Sequence, residues 1–219
     1  MNILITGANG FLGRNLVYAL LNKKYLNWQK ITRIIIFDQT LEDFPDDPLL
    51  LPIQGDITDS RVIKKIFDYP IATIFHLISL AGGAAQEMPL KGLRVNLIFS
   101  LSLFDIAAAQ SIRPTLIYSS SIAVYSEMGE EIFQEERNPN PVSSYGKHKW
   151  LCEVALQDLH QQKLLSARII RFPGLVARPE FSVALKSAFM SNIINCMAKG
   201  IPWTCPVYQL VDVCELCCG

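Results

Sequence analysis

The amino terminus of the chain combines a short apolar strand, a glycine-rich turn and an apolar helix pattern. The strand pattern covers residues 2–6 and leads into the turn Gly7-Ala-Asn-Gly10-Phe-Leu-Gly13, after which the helix pattern follows directly. Glycine lets the backbone turn sharply and approach a ligand closely. The first N–H groups of a helix and its dipole favour negative charge at that end. This order of elements therefore predicts a cradle for a phosphate group.

The glycine spacing and the next strand narrow the predicted ligand to a dinucleotide. The pattern is G-x-x-G-x-x-G, one residue longer in its first gap than G-x-G-x-x-G, and by itself it leaves an ordinary turn open. The strand pattern 33–38 ends in Asp38, about 25 residues after the last glycine, where a carboxylate binds the adenosine ribose. Asp38 would repel a 2′-phosphate, which predicts NAD rather than NADP. The alternative is an aspartate that only begins a turn.

Short apolar strands alternate with helix patterns along most of the 219 residues. The strand patterns cover 2–6, 33–38, 50–54, 73–78, 115–120 and 167–172, and the helix patterns cover 11–22, 60–68, 90–110, 144–163 and 184–199. This alternation predicts an α/β fold with a Rossmann-type, doubly wound parallel sheet. We expect residues 1–165 to form the NAD-binding domain, and 166–219 to hold the last strand or strands and a partial C-terminal substrate-binding region. Segment 126–143 is expected to form a long loop over the edge of the sheet that binds the ligand.

Composition and charge exclude several classes of partner. The 20 basic residues balance the 20 acidic ones and form no basic block, which argues against nucleic acid and anionic membranes. No stretch reaches the roughly 18 apolar residues that a membrane span needs. A strand that begins at residue 2 leaves no room for a signal peptide, so we expect a cytoplasmic protein.

The six cysteines predict neither a metal site nor disulfides. Cys152 and Cys196 lie in helix patterns and are expected to be small buried apolar residues. The others stand near the end of the sequence, at Cys205, Cys214, Cys217 and Cys218. One C-x-x-C without a second pair or a nearby histidine is a poor zinc signature. Disulfides are not expected in a cytosolic chain.

The first candidate for catalysis is Tyr145-Gly-Lys-His-Lys149, which opens a helix pattern. Residues at i and i+4 share a helix face, so the phenol and the ammonium can act together. A tyrosine base near neutral pH must lose about three pKa units, or about 4 kcal/mol. A cation about 4 Å away in a partly shielded site supplies up to that order. Lys149 would also hold the nicotinamide ribose hydroxyls.

The second candidate lies at the end of the fifth strand pattern, Tyr118-Ser-Ser-Ser121. A hydroxyl at the carboxyl end of a parallel strand faces the ligand cleft. Ser121 would hold a substrate carbonyl or alcohol near Tyr145, and the alternative is a serine that bonds only to local backbone groups. A hydrolytic Ser/His site is not expected, because no G-x-S-x-G turn occurs.

Together these residues resemble the extended short-chain dehydrogenase/reductases, the NAD-dependent epimerase/dehydratase family. The matching motifs are Gly7/Gly10/Gly13, Asp38, Gly55-Asp56-Ile57, His76-Leu77, Asn96, Ser119-Ser120-Ser121, Tyr145/Lys149 and Arg171-Phe-Pro-Gly. The resemblance implies hydride transfer between a substrate carbon and nicotinamide, with Ser121, Tyr145 and Lys149 as the catalytic set. It also implies a homodimer through the helices near 90–110 and 144–163.

The same resemblance implies which residues contact the ligands. Asp56 and Ile57 would flank the adenine, and segment 76–80 would lie beside the cofactor. The expected cofactor contacts are Gly7, Asn9, Gly10, Phe11, Leu12, Gly13, Asp38, Asp56, Ile57, Leu77, Ile78, Asn96, Tyr145, Lys149, Phe172 and Pro173. The expected substrate contacts are Ser121, Gly82 and Arg178.

Within the family, segments 75–86, 92–96, 141–146 and 171–179 resemble the D-erythronate dehydrogenase branch, which oxidises small sugar acids. Arg178 would then pair with a substrate carboxylate, or else be an outward structural arginine. Ile78-Ser79 stands where that branch tends to have two alanines. A nucleotide-sugar epimerase or dehydratase is the alternative enzyme. Because the family normally continues further, a C-terminally truncated chain is expected, and a non-catalytic NAD-binding regulator or inactive fragment is the alternative from another class.

Overall fold

The computed structural model describes residues 1–125, 138–176 and 189–204. The chain forms two compact units, Met1–Pro173 and Gly174–Gly219. The first unit contains a parallel sheet and the helices that cover it. The described part of the second unit contains one helix, Phe189–Lys199, which we call α7.

Six strands form the sheet of the first unit, and all neighbouring strands are parallel. They are β1 (Asn2–Thr6), β4 (Arg33–Asp38), β5 (Leu50–Gln54), β6 (Thr73–His76), β7 (Thr115–Ser121) and β8 (Ser166–Phe172). Their spatial order is β5-β4-β1-β6-β7-β8, so the direction of winding reverses between β1 and β6. Such a switch point is where doubly wound sheets bind ligands. The predicted Rossmann-type α/β fold is confirmed.

The helices of the first unit follow the predicted patterns with one addition. They are α1 (Phe11–Lys23), α2 (Ser60–Ile66), α3 (Gly82–Glu87), α4 (Pro89–Leu93), α5 (Phe99–Ala108) and α6 (Ser144–Gln161). A π-helical turn, Arg94–Ile98, joins α4 to α5. The sequence did not predict α3 or the short antiparallel hairpin of β2 (Tyr25–Leu26) and β3 (Gln29–Lys30).

The central strands send alternate residues into two separate cores. Leu4 and Ile35 belong to the core that includes residues of α5 and α6, whereas Ile3 and Ile34 pack with residues of α1. Successive side chains of a strand point to opposite faces, so this division shows that helices cover both faces of the sheet. Because helices cover both faces, the central strands are continuous apolar runs and do not alternate between apolar and polar residues.

The structure also bears on the expectations about the cysteines, membrane spans and metal sites. Cys152 and Cys196 are buried in α6 and α7, as predicted. Across the described ranges, no helix is long and apolar enough to cross a bilayer, and no group of three or more His, Cys, Asp or Glu is arranged to hold a metal ion. The cytoplasmic location stays a prediction. Some predictions fall outside the described residues, namely Arg178, positions 126–137 of the expected loop, and Cys205, Cys214, Cys217 and Cys218.

Candidate active site

The glycine turn packs closely against the carboxyl ends of β1, β4 and β6. Gly7 has a φ of +74°, and its N–H donates to the carbonyl oxygen of Phe37 at 2.9 Å. A Cβ on Gly7 would lie 2.8 Å from the backbone nitrogen of Ile78, and one on Gly13 would lie 2.2 Å from the carbonyl oxygen of Gly7. No side chain can be accommodated at either position without moving the backbone, which explains two of the three glycines in the motif.

Helix α1 begins at this turn and directs its N terminus toward the same edge of the sheet. Gly10 is the N-cap, no side chain caps the helix, and its first turn carries no acidic residue. Asp38 lies beside the turn, where its carboxylate accepts hydrogen bonds from the backbone N–H groups of Asn9 at 2.9 Å and Gln39 at 2.7 Å. The structure therefore brings the predicted phosphate cradle and the predicted ribose carboxylate together. A glycine cradle at an uncapped helix N terminus suits the pyrophosphate of a dinucleotide.

A cleft of about 920 Å³ opens at the carboxyl ends of β4 and β5. Its lining residues are Gln39, Gln54, Gly55, Asp56, Thr58, Leu90, Lys91, Arg94 and Val95. The Asp56 carboxylate accepts the backbone N–H and the hydroxyl of Thr58 at 2.8 and 2.9 Å, and these hydrogen bonds lower the pKa of Asp56. Ile57 is 1% exposed and packs in the core, so its side chain is not part of the cleft wall.

The loop that follows β6 is held in place by Asn96. The amide group of Asn96 donates to the carbonyl oxygen of Leu80 at 2.9 Å and accepts the N–H of Leu80 at 2.7 Å. Asn96 is 2% exposed and lies in the π-helical turn. Its side chain therefore positions the loop that carries Leu77 and Ile78 along the glycine turn. Direct contact of Asn96 with the cofactor stays a prediction.

His76 lies fully buried next to this loop and is neutral. The Thr6 hydroxyl is 2.7 Å from its Nδ1, and the Ser100 hydroxyl is 2.9 Å from its Nε2. Because Ser100 donates to the carbonyl oxygen of Asn96 at 3.0 Å, its oxygen accepts the ring N–H at Nε2. Burial lowers the pKa of His76 to about 3, and the charge of Lys149 acts in the same direction. His76 thus links β1 and β6 to α5 and is not suited to proton transfer.

Tyr145, Lys149 and Ser121 meet near the carboxyl ends of β6 and β7. The Ser143 hydroxyl caps α6 by accepting a backbone N–H of its first turn at 3.0 Å, so the helix begins just before Tyr145. Burial raises the pKa of the Tyr145 phenol, and hydrogen bonds with the side chains of Ser79 and Ser121 oppose that increase. The sequence predicted the tyrosine and Ser121 but not Ser79.

Lys149 lies one helical turn after Tyr145 and is 2% exposed. Its Nζ donates to the carbonyl oxygen of Ser119 at 2.7 Å and lies 5.7 Å from the centre of the Tyr145 ring. Burial lowers the pKa of Lys149 to about 8, although Cys152 and Glu153 oppose this. The ammonium next to the phenol is therefore largely charged at neutral pH, and the charge is lost as the pH rises through about 8.

Three further positions from the sequence analysis border this site. A Cβ on Gly82 would lie 3.8 Å from the Tyr145 ring, an ordinary van der Waals distance, so Gly82 lies next to this side chain. Phe172 pairs with Ser121 in the register of β7 and β8, and Pro173 follows it directly. Contacts of Gly82, Phe172 and Pro173 with ligands stay predictions.

A buried ion pair that the sequence analysis missed connects the elements that carry the site. Glu153 of α6 is fully buried, and its carboxylate accepts hydrogen bonds from Arg171 of β8 at 2.6 and 3.1 Å. The same carboxylate accepts the hydroxyl of Ser120 on β7, while Arg171 donates to the hydroxyl of Tyr125 at 2.6 Å. Glu153 follows Lys149 by one helical turn, and this spacing was the only signal in the sequence.

The chain is similar to several known proteins. Residues 3–212 match the profile of the NAD dependent epimerase/dehydratase family. A D-erythronate dehydrogenase of Cupriavidus necator is 33% identical over 211 residues, which cover 94% of this chain and 65% of that protein. A solved nucleoside-diphosphate-sugar epimerase from Agrobacterium tumefaciens is 28% identical with a TM-score of 0.79, over 88% of this chain and 58% of that one. The solved complex of MoeE5 with UDP-glucuronic acid and NAD is 25% identical with a TM-score of 0.66, over 78% and 54%. The chain spans less than two thirds of each of these proteins.

Proposed function

Because the chain belongs to the NAD-dependent epimerase/dehydratase family, we propose that it is an oxidoreductase that oxidises a small sugar acid with NAD. One observation carries this proposal. Tyr145, Ser121 and Lys149 come together at the edge of the sheet where the glycine turn also lies. The likeness to a D-erythronate dehydrogenase supports a small sugar acid as the substrate.

The residues around the glycine turn suit NAD. The pyrophosphate would be held by the turn from Gly7 to Gly13 and by the N terminus of α1, where a side chain on Gly7 would collide with the loop of Ile78. Asp38 would accept hydrogen bonds from the adenosine ribose hydroxyls. NAD, when bound, supplies the acceptor for the hydride that leaves the substrate carbon.

In the proposed reaction Tyr145 takes the proton of the substrate hydroxyl as the general base. Ser121 hydrogen-bonds the same oxygen and holds it near the phenol. Burial alone keeps the pKa of Tyr145 above its ordinary value, so the base needs a nearby positive charge to act near neutral pH. Lys149 provides that charge, and its buried position makes the interaction stronger than it would be in water.

The proposed activity is tested with a panel of four-carbon sugar acids and of nucleotide sugars, incubated with NAD. We expect NADH absorbance to appear with sugar acids such as D-erythronate and not with nucleotide sugars. Chromatography of the nucleotide-sugar reactions would detect epimers or dehydrated products that form without net NADH. If no sugar acid yields NADH, the proposed substrate class is rejected.

A nucleotide-sugar 4-epimerase or dehydratase is the second candidate. The likeness to the nucleoside-diphosphate-sugar epimerase of A. tumefaciens supports it. A nucleotide diphosphate requires several cations around its phosphates. Arg168 and Arg171 lie on β8, and Arg171 is occupied by Glu153, so neither is well suited to that role. The described residues therefore favour the smaller substrate.

The choice of NAD over NADP is expected to depend on Asp38. Its carboxylate lies at the glycine turn and would repel a 2′-phosphate, so we expect NAD to bind at least about tenfold more tightly, a difference of about 1.4 kcal/mol. Asp38→Asn should reduce that preference, whereas Asp68→Asn, which removes an exposed carboxylate elsewhere, should leave it unchanged. Calorimetric titration of both cofactors measures this. If the wild type binds NAD and NADP with equal affinity, Asp38 does not select between the two cofactors.

The homodimer implied by the sequence resemblance is proposed to form through α5 and α6. Ile98, which ends the π-helical turn just before α5, is 51% exposed. Leu151 and Val154 of α6 are 50% and 44% exposed and share a helix face. An exposed apolar face of this kind suits an isologous contact with a second copy. We expect light scattering to give a dimer mass for the wild type and a monomer mass for Leu151→Lys. Leu164→Lys is the control, and a monomeric wild type would reject the proposal.

A further inference from the structure

We propose that the buried ion pair of Glu153 and Arg171 positions Ser121 relative to α6, the helix that carries the proposed base. The pair holds both ends of one short stretch of chain, residues 120–125, which we call the Ser121 segment. Glu153 and Arg171 are thus positioning residues for turnover and not only supports of the fold. This inference deepens the proposed function and rests on it.

The ion pair fixes α6 against β8. The Nη2 of Arg171 donates to Oε2 of Glu153 at 2.6 Å, and its Nε lies 3.1 Å from both carboxylate oxygens. Several N–H groups of one guanidinium on one carboxylate fix the orientation of the two groups as well as their separation. Because Glu153 is fully buried, water does not compete for these hydrogen bonds. The pair is therefore a rigid point from which other groups can be held.

The first end of the Ser121 segment is held by Glu153. Ser120 pairs with Arg171 in the register of β7 and β8, so their side chains leave the same face of the sheet. The hydroxyl of Ser120, which is 3% exposed, donates to Oε1 of Glu153. A hydrogen bond to a charged oxygen is stronger than one between neutral groups. Strand β7 is thus bound to α6 at the residue directly before Ser121.

The other end of the Ser121 segment is held by Arg171. Its Nη1 donates to the hydroxyl of Tyr125 at 2.6 Å, and its guanidinium carbon lies 5.0 Å from the centre of the Tyr125 ring. Between the two ends the chain forms a 3-10 turn, Ile122–Val124, and the N–H of Tyr125 donates to the carbonyl oxygen of Ile122 at 3.0 Å. Both ends of the segment therefore depend on one ion pair.

The Ser121 segment packs directly on the first turn of α6. A Cβ on Gly146 would lie 2.0 Å from the carbonyl oxygen of Ala123, so the two backbones are in contact. Gly146 follows Tyr145 in the chain, and the N–H of Ala123 donates to the Ser121 oxygen at 3.2 Å. The proposed base and the proposed orienting group each lie within two residues of this contact. A shift of the segment would therefore change the separation of Ser121 from Tyr145.

The position of Lys149 is connected to the same strand end. Its Nζ donates to the carbonyl oxygen of Ser119, the residue directly before the Ser121 segment, at 2.7 Å. The Ser119 hydroxyl in turn donates to the carbonyl oxygen of His76 on β6 at 3.0 Å. A shift of the strand end would therefore also move the acceptor of the ammonium. Catalysis is sensitive to such shifts, because a misplacement of about 1 Å can lower the rate about 10²-fold.

The first test does not depend on turnover. Ser120→Ala and Tyr125→Phe each remove one hydroxyl that bonds to the ion pair and leave both charged residues in place. In the double variant we expect the backbone amides of 120–125 to exchange with deuterium about tenfold faster, because the segment opens more easily, while peptides of β1 and β4 keep their rates. Mass spectrometry of the full chain measures this exchange, and each single variant is measured as well in case the double variant does not fold.

The matched control is Ser111→Ala with Tyr69→Phe, which removes two exposed hydroxyls elsewhere, one of them from a tyrosine whose ring also packs against an arginine. It should leave the exchange of the Ser121 segment unchanged. Unchanged exchange in every variant of Ser120 and Tyr125 would overturn the inference, whatever the activity of the protein.

The second test measures kcat and the KM for NAD with the most active sugar acid of the panel. We expect Ser120→Ala and Tyr125→Phe each to lower kcat about tenfold, and the double variant about 10²-fold. The KM for NAD should stay within about twofold, because the glycine turn lies on other elements. Wild-type kcat in folded variants overturns the positioning role and leaves the proposed function standing. A wild type inactive on every substrate of the panel overturns the proposed function, and deuterium exchange then decides alone whether the ion pair holds the segment.

Discussion

Tyr145→Phe is expected to lower the turnover number by about 10²- to 10⁴-fold, the usual loss when a general base is removed. The substitution deletes only the phenol oxygen and keeps the ring that lies next to Gly82. NAD affinity should stay close to that of the wild type, because the glycine turn lies on other elements. Steady-state NADH absorbance and calorimetric titration with NAD measure the two effects.

The matched control for this prediction is Tyr69→Phe, which removes the same atom from an exposed tyrosine whose ring packs against Arg33. It should change neither turnover nor NAD affinity. Wild-type turnover in Tyr145→Phe would discard the phenol as the base. Loss of NAD binding together with turnover would show that Tyr145 serves the cofactor site rather than the chemistry.

Glu153→Leu is expected to lower the free energy of unfolding by about 3–5 kcal/mol, the usual cost of leaving one member of a buried ion pair without its partner. Glu153 accepts every hydrogen bond of the pair and is fully buried, while the Arg171 side chain is 22% exposed. Adding Arg171→Met in the same chain should recover much of the loss, because two apolar side chains then pack where two charges were. Urea denaturation of both variants measures these differences.

The control for the ion pair is Arg61→Met, which breaks the exposed pair with Asp59. That arginine side chain is 89% exposed, so the expected change in the free energy of unfolding is small beside that of Glu153→Leu. An equally small change for Glu153→Leu would show that the buried pair is dispensable.

We also expect Glu153→Leu to reduce turnover. Glu153 accepts the hydroxyl of Ser120, and Ser120 stands between Ser119, whose carbonyl binds Lys149, and Ser121.

The parts of the fold that the sequence predicted depend on local physics. Buried parallel strands need apolar residues on both faces, so the central strands β1, β4 and β6 are visible as short apolar runs. Gly7 and Gly13 are recognisable because only glycine suits their backbone positions, and Asp38 stands at a strand end. Tyr145 and Lys149 are recognisable as a pair because a helix places i and i+4 on one face.

Two elements were missed because their local sequences do not favour them. Helix α3 opens with two glycines, which are poor helix formers. It is held by the contact of its buried Ala85 with Gly92 of α4, where a Cβ on the glycine would lie 3.1 Å from that of Ala85. The hairpin of β2 and β3 turns through Asn27 and Trp28 at positive φ, a conformation that tryptophan seldom adopts.

The sequence by itself determined the six strands of the parallel sheet, the glycine turn, Asp38 and the spacing of the tyrosine and lysine, because each of these follows from neighbours along the chain. The tertiary structure alone decided that Asn96 supports a loop and that Glu153 and Arg171 are partners. Those contacts join residues far apart in the chain, and hydrogen-bond geometry and burial select them only after the sheet has brought its strand ends together.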